Sequence, residues 1–159
     1  MIKVSLGKKR SYCSAELNKT GKDYWIKVVN KEGPHLGGIA VAEKGKKINS
    51  IKIKKHHELI VFEPMAKKLS KALKTKVIVF GGAHIEKPSK KELNELIKNL
   101  HDLTYELLFE LKEPTESYIK KILKMEKEDF KKHGLKRMTN KELNKLFKIK
   151  KSRKKKKHR

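Results

Sequence analysis

The run Lys76-Val77-Ile78-Val79-Phe80-Gly81-Gly82 constrains the fold more than any other segment. Its β-branched and aromatic residues, closed by a Gly-Gly pair, read as a buried strand, and helical periodicity flanks it on both sides. Upstream, Met65, Ala66, Leu69, Ala72 and Leu73 share one helical face. Proline is tolerated in a first turn and disfavoured in a helix interior, so Pro64 predicts a helix over 64–73. Downstream, Ser89 and Glu92 stand at capping-box spacing. The helix they open carries Leu93, Leu96, Ile97, Leu100, Leu103 and Leu107 and runs to about Leu111.

Before that unit the chain reads as strands. Residues 11–18 alternate loosely, a turn follows at 19–22, and Tyr24-Trp25-Ile26-Lys27-Val28-Val29 is a second strand. Gly37-Gly38-Ile39-Ala40-Val41-Ala42 suits a buried strand with close backbone approach, and Ile48, Ile51 and Ile53 mark a fourth. The order β-β-β-β-α-β-α implies an α/β, two-layer mixed β-sheet covered by helices.

Pro114 closes this domain, so the expected division is 1–112 for the α/β domain and 113–159 for a C-terminal basic helical extension. A charged helix is expected over 117–133, and Thr139 with Glu142 caps a short one after it. Through Glu110 there are 23 basic and 12 acidic residues, a net +11; the remainder has 20 and 6, a net +14. The end of the chain is a solvated basic tail. Its Lys150, Lys151, Arg153, Lys154, Lys155, Lys156, Lys157 and Arg159 are candidates for non-specific RNA contact. Only four of the 43 basic residues are arginine, which disfavours base-specific recognition.

Composition excludes several classes. Cys13 is the single cysteine, so there is no internal disulfide and no CxxC zinc site. The longest apolar runs, 59–62 and 77–80, fall far short of a membrane span, and the first residues lack a signal-peptide core. A cytoplasmic, membrane-independent protein is expected.

Three histidine regions meet if the strands pair as their patterns suggest. A hairpin with Ala42 opposite Ile48 brings His35 opposite Lys55 and beside His56. If the Lys76–Gly82 strand runs parallel to the 48–53 strand, His84 arrives at the same sheet edge. His35, His56 and His84, the pairs Gly37-Gly38 and Gly81-Gly82, and the helix start at Ser89 would then share one end. Glycine turns, helix N-termini and strand carboxyl ends favour anionic or heterocyclic ligands. A lone loop histidine is most often only a polar loop residue, and Gly-Gly pairs often serve packing. It is the joint placement that carries weight. A three-histidine metal site is the weaker reading of this cluster, because no HExxH or other defined ligand spacing is present; with no GxSxG, GxGxxG or P-loop pattern either, no metal and no catalytic residue is assigned.

Pro34-His35-Leu36-Gly37-Gly38-Ile39-Ala40-Val41-Ala42 resembles the P-H-[IL]-G-[AG]-[IV]-[AS] stretch of the prenylated-flavin chaperone-like proteins. That family includes the small D subunit associated with UbiD-type hydroxyaryl decarboxylases. His56-His57-Glu58 resembles its histidine-plus-acid motif, which adds Glu58 to the candidate cofactor-binding residues. Gly81-Gly82-Ala83-His84 resembles its strand-end G-[GI]-[IA]-H pattern. Lys55 stands where the family pattern carries glycine, Pro64 interrupts the first helix, and the segment after Pro114 has no counterpart.

The resemblance implies a fold related to small proteasome assembly chaperones and a tendency to form homodimers. It also implies binding of prenylated FMN or FMN in support of a decarboxylase partner. The leading expectation is therefore a non-enzymatic helper or cofactor-binding module. The alternative is an RNA- or ribosome-associated protein using the lysine-rich tail, and a small histidine-based enzyme has least support.

Overall fold

The computed structural model describes residues 1–111 and, beyond them, only Lys120, Lys124 and Glu128. The other residues of the expected extension, including the candidate RNA-contacting residues from Lys150 to Arg159, lie outside the described residues.

Six strands form one mixed sheet: β1 (Ile2–Leu6), β2 (Cys13–Thr20), β3 (Asp23–Asn30), β4 (Gly38–Ala42), β5 (Asn49–Lys52) and β6 (Val77–Gly82). Among the described residues two α-helices accompany the sheet, α1 (Leu59–Leu73) and α2 (Lys90–Leu111). The spatial order is β1-β2-β3-β6-β4-β5. Only β3 and β6 pair in parallel; every other neighbouring pair is antiparallel. Both helices pack against one face, α1 on β4 and β6 and α2 on β1 and β2. Ala15, Ile26, Val28, Ala40, Val77 and Val79 project to that side and are fully buried against Phe62, Met65, Leu69, Leu103 and Leu107. This is the expected α/β, two-layer mixed sheet.

Three details depart from the sequence reading. An additional strand, β1, precedes the expected four. Its alternation of Ile2, Val4 and Leu6 sets Val4 opposite Ala15 on the core face, and this period of two is the signal that identifies it.

The first helix begins at Leu59, with Pro64 inside it. Burial of Val61 and Phe62 on its inner face drives the earlier start. The missing proline N–H leaves the Ile60 carbonyl without its helical donor. Ile60 is on the exposed side, where water can take up that carbonyl.

The third departure concerns β6. The hairpin register holds, with Ile39 opposite Ile51 and Val41 opposite Asn49. Instead of joining β5, however, β6 inserts between β3 and β4. Burial decides this: Val77 and Val79 are fully buried, whereas all four residues of β5 are exposed and suit a sheet edge.

The new topology still brings the motifs together. The ends of β3, β5 and β6 and the start of β4 all lie along one edge of the sheet. The loop carrying His35 joins this edge through Gly37 N–H donating to the Gly81 carbonyl at 2.7 Å.

Candidate functional site

Local backbone geometry delivers each side chain to that edge. After β3, Asn30 folds the following loop back on itself. Its side-chain carbonyl accepts the Gly33 N–H at 3.2 Å and the His84 N–H at 3.1 Å, while its amide donates to the His84 carbonyl at 2.7 Å. Asn30 is almost wholly buried, so these bonds replace its hydration and tie the β3–β4 loop to the end of β6. After β5, Ile53 N–H donates to the Gly37 carbonyl and His56 N–H to the Ile53 carbonyl, each at 3.1 Å. The tight turn between them needs Lys55 at φ +67°, a left-handed conformation that glycine adopts without strain. Glu58 is the N-cap of α1, and its carbonyl accepts the Val61 and Phe62 N–H groups.

Three side chains then converge. His35 Nδ1 lies 2.8 Å from the Gly33 carbonyl oxygen, which can only accept, so Nδ1 carries a proton. The other ring nitrogen, Nε2, faces Glu58 Oε1 at 2.8 Å and His56 Nδ1 at 3.0 Å. His56 Nδ1 is 3.4 Å from the same Glu58 oxygen. The Glu58 side chain is only 8% exposed, against 24% for His35 and 31% for His56. Glu58 Oε2 is buried with no hydrogen-bond partner among the described residues.

The glycines make room for this arrangement. A Cβ on Gly37 would collide with the Glu58 carboxylate, and one on Gly82 would fall 2.6 Å from His35 Nε2. Gly38 packs beneath Leu59, where a Cβ would approach Cδ2 to 3.0 Å. Gly81 has a different task. At φ +127° it brings its backbone against the Val28 carbonyl, so it serves the β3–β6 pairing.

His84 stands at the periphery, exposed, with its ring edge-on to His35 at 6.3 Å between centroids. His57 is exposed and takes no part in the cluster. Of the sequence candidates, His35, His56, Glu58, Gly37 and Gly82 therefore form the centre. His84 adds a rim, and Gly38 and Gly81 support the backbone.

The α2 N-terminus already holds an acidic side chain. Its capping box is closed by Ser89 N–H on Glu92 Oε2 at 2.8 Å and Glu92 N–H on Ser89 Oγ at 3.2 Å. Arg10 bridges Glu92 and Glu32 beside it. Sequence reasoning missed Asn30, which presents as an ordinary strand-end residue. Asparagine at the junction of a strand and a Gly-containing loop was the available signal. Cys13 is excluded as a nucleophile: burial, reinforced by the negative charge of Asp102, pushes its thiol up to about 12.

Among the described residues no helix is long and apolar enough to cross a membrane. No curated protein matches the chain. The family model of the prenylated flavin chaperone LpdD-like domain matches residues 7–112, a span that contains every residue of the cluster and both glycine pairs. Because that match covers more than half of the 159 residues, the chain belongs to the prenylated flavin chaperone LpdD-like family.

Proposed function

We propose that the His35 end of the sheet is where this chain engages prenylated FMN, and that the protein helps load this cofactor into a UbiD-type decarboxylase. The observation that carries the reading is the coincidence of two things. The family match encloses residues 7–112, and within it the buried Glu58, the two half-buried imidazoles and exposed His84 gather at one sheet edge. The exposed His84 imidazole can donate to a phosphate or to the polar edge of an isoalloxazine.

A second surface supports a partner-binding role. Neither helix covers the opposite face of the sheet, which carries Trp25, Ile39, Val41, Ile78 and Phe80, all half-buried. Trp25 and Phe80 lie 5.9 Å apart between ring centroids. An apolar face of this kind suits a second copy of the chain in a homodimer. Trp25→Glu should then shift the sedimentation coefficient to that of a monomer.

The functional test is co-expression of the decarboxylase from the same host with wild-type chain, with His35→Ala, or alone. The cofactor-loaded fraction of purified enzyme should rise only with wild type. Equal loading in all three would refute the delivery role.

A further inference from the structure

We infer that His35 Nε2, His56 Nδ1 and Glu58 Oε1 are the three protein ligands of a divalent first-row transition-metal site. The donors form a triangle with edges of 2.8, 3.0 and 3.4 Å, and they are the one such group found among the described residues. Ligands at about 2.0–2.2 Å from an ion, separated by tetrahedral or octahedral angles, stand roughly 2.8–3.5 Å apart. The observed edges fall in that range without any rearrangement.

Proton accounting points the same way. His35 Nδ1 spends its proton on the Gly33 carbonyl. On the neutral ring, Nε2 therefore aims a lone pair at a carboxylate oxygen and at a second ring nitrogen. An extra proton on Nε2 serves the two His35 edges but leaves the His56 Nδ1 lone pair against the carboxylate. A proton on His56 Nδ1 serves the His56 edges but leaves the His35 lone pair against the carboxylate. A cation at the centre satisfies all three edges together.

Two further features belong to a metal-ligand shell. The Gly33 carbonyl holds the far nitrogen of His35, the outer contact that orients ligating imidazoles and fixes their tautomer. The Glu58 carboxylate is nine-tenths buried, and its second oxygen has no partner among the described residues. A divalent ion supplies the positive charge that such a carboxylate lacks.

Two nitrogens and one carboxylate select borderline ions such as Zn(II) or Fe(II) over calcium or magnesium. Three protein ligands on one side leave further positions open to water or to an oxygen of a bound ligand. The site is independent of the flavin reading, because its test uses metal alone.

The experiment is a Zn(II) titration of the full chain, stripped beforehand with chelator and read against a chromophoric competitor. Wild type should bind one equivalent with a dissociation constant of about 1 µM or tighter. His35→Ala, His56→Ala and Glu58→Gln should each weaken binding at least roughly tenfold, while His57→Ala should match wild type. Zinc-edge X-ray absorption of the loaded wild type should show only nitrogen and oxygen neighbours, with the outer scattering of imidazole. Because Glu58→Gln keeps its shape and the spectrum uses the native chain, a poorly folding histidine variant leaves the inference decidable. Wild-type binding weaker than about 100 µM, or equal affinity in wild type and Glu58→Gln, would overturn it.

Discussion

His35 Nε2 and Glu58 Oε1 are 23 positions apart in the chain and 2.8 Å apart in space, and the Glu58 carboxylate lies directly over Gly37. The contact joins the β3–β4 loop to the start of α1, so the cluster depends on two separate glycine clearances rather than on one local motif.

Gly37→Ala should therefore displace Glu58. The added methyl meets only the end of the Glu58 side chain, which must swing away from His35 and His56, and losing those charge-assisted contacts costs about 1–3 kcal/mol. Chemical denaturation should show that loss, together with weaker metal binding. Unchanged stability and unchanged metal affinity would mean that the Glu58 position is not fixed by this contact.

Much of this was legible in the residues. The capping box at Ser89, the sum-of-positions register between β4 and β5, and the role of the Lys76–Gly82 strand follow from local pattern and burial. The placement of β6 between β3 and β4 does not. It is decided by which strand buries more apolar surface, a comparison that needs the whole sheet. Pro64 misplaced the start of α1 because the burial of Val61 and Phe62 outweighs a local backbone penalty. At the site, the histidines and glycines were visible as a group. Resemblance rather than spacing brought in Glu58, and its partnership with His35 and His56 depends on tertiary contact. Asn30 was invisible because its value lies in two loops that meet only in the fold.

Asn30→Ala should loosen the site from behind. It removes acceptors for two backbone N–H groups and the donor to the His84 carbonyl. Unsatisfied buried groups cost about 1–3 kcal/mol each, with water recovering part at the rim. Amide hydrogen exchange at Gly33 and His84 should accelerate well before the rest of the sheet does. Uniform protection would assign Asn30 no role in holding the loops together.

Lys55→Gly should stabilise the protein. A non-glycine residue at φ +67° carries a left-handed penalty of roughly 1–2 kcal/mol, and glycine's extra unfolded-state entropy returns part of the gain. A net increase of about 0.5–1 kcal/mol in urea unfolding is expected. A decrease would show that the Lys55 side chain contributes more than its backbone costs.

Acid should weaken the fold through surface carboxylates. The Ser89 backbone N–H and hydroxyl, then Arg10, hold Glu92 below its ordinary 4.5; Lys3 does the same for Glu16. The Thr75 hydroxyl leads in lowering Asp23 from 3.8. Groups whose folded values are depressed contribute stability above their ordinary values and lose it as pH falls through the folded ones. Thermal midpoints should accordingly be flat near neutrality and fall below about pH 4.5. Glu92→Gln should lower the midpoint at pH 7, and its difference from wild type should shrink in acid. A constant difference across the range would exclude Glu92 ionisation as the cause.

The cofactor role is tested most directly by equilibrium titration of the full chain with prenylated FMN, followed by flavin fluorescence. Wild type should saturate at one equivalent. His84→Ala should lose roughly tenfold to a hundredfold in affinity, the value of one hydrogen bond to a charged ligand group at about 1.5–3 kcal/mol, and His35→Ala should weaken binding by releasing Glu58 and His56 behind the rim. The His84→Ala midpoint should stay close to wild type, since that exposed side chain does not belong to the apolar core. No detectable binding by wild type, or equal affinity in all three proteins, would contradict assignment of the flavin to this edge of the sheet.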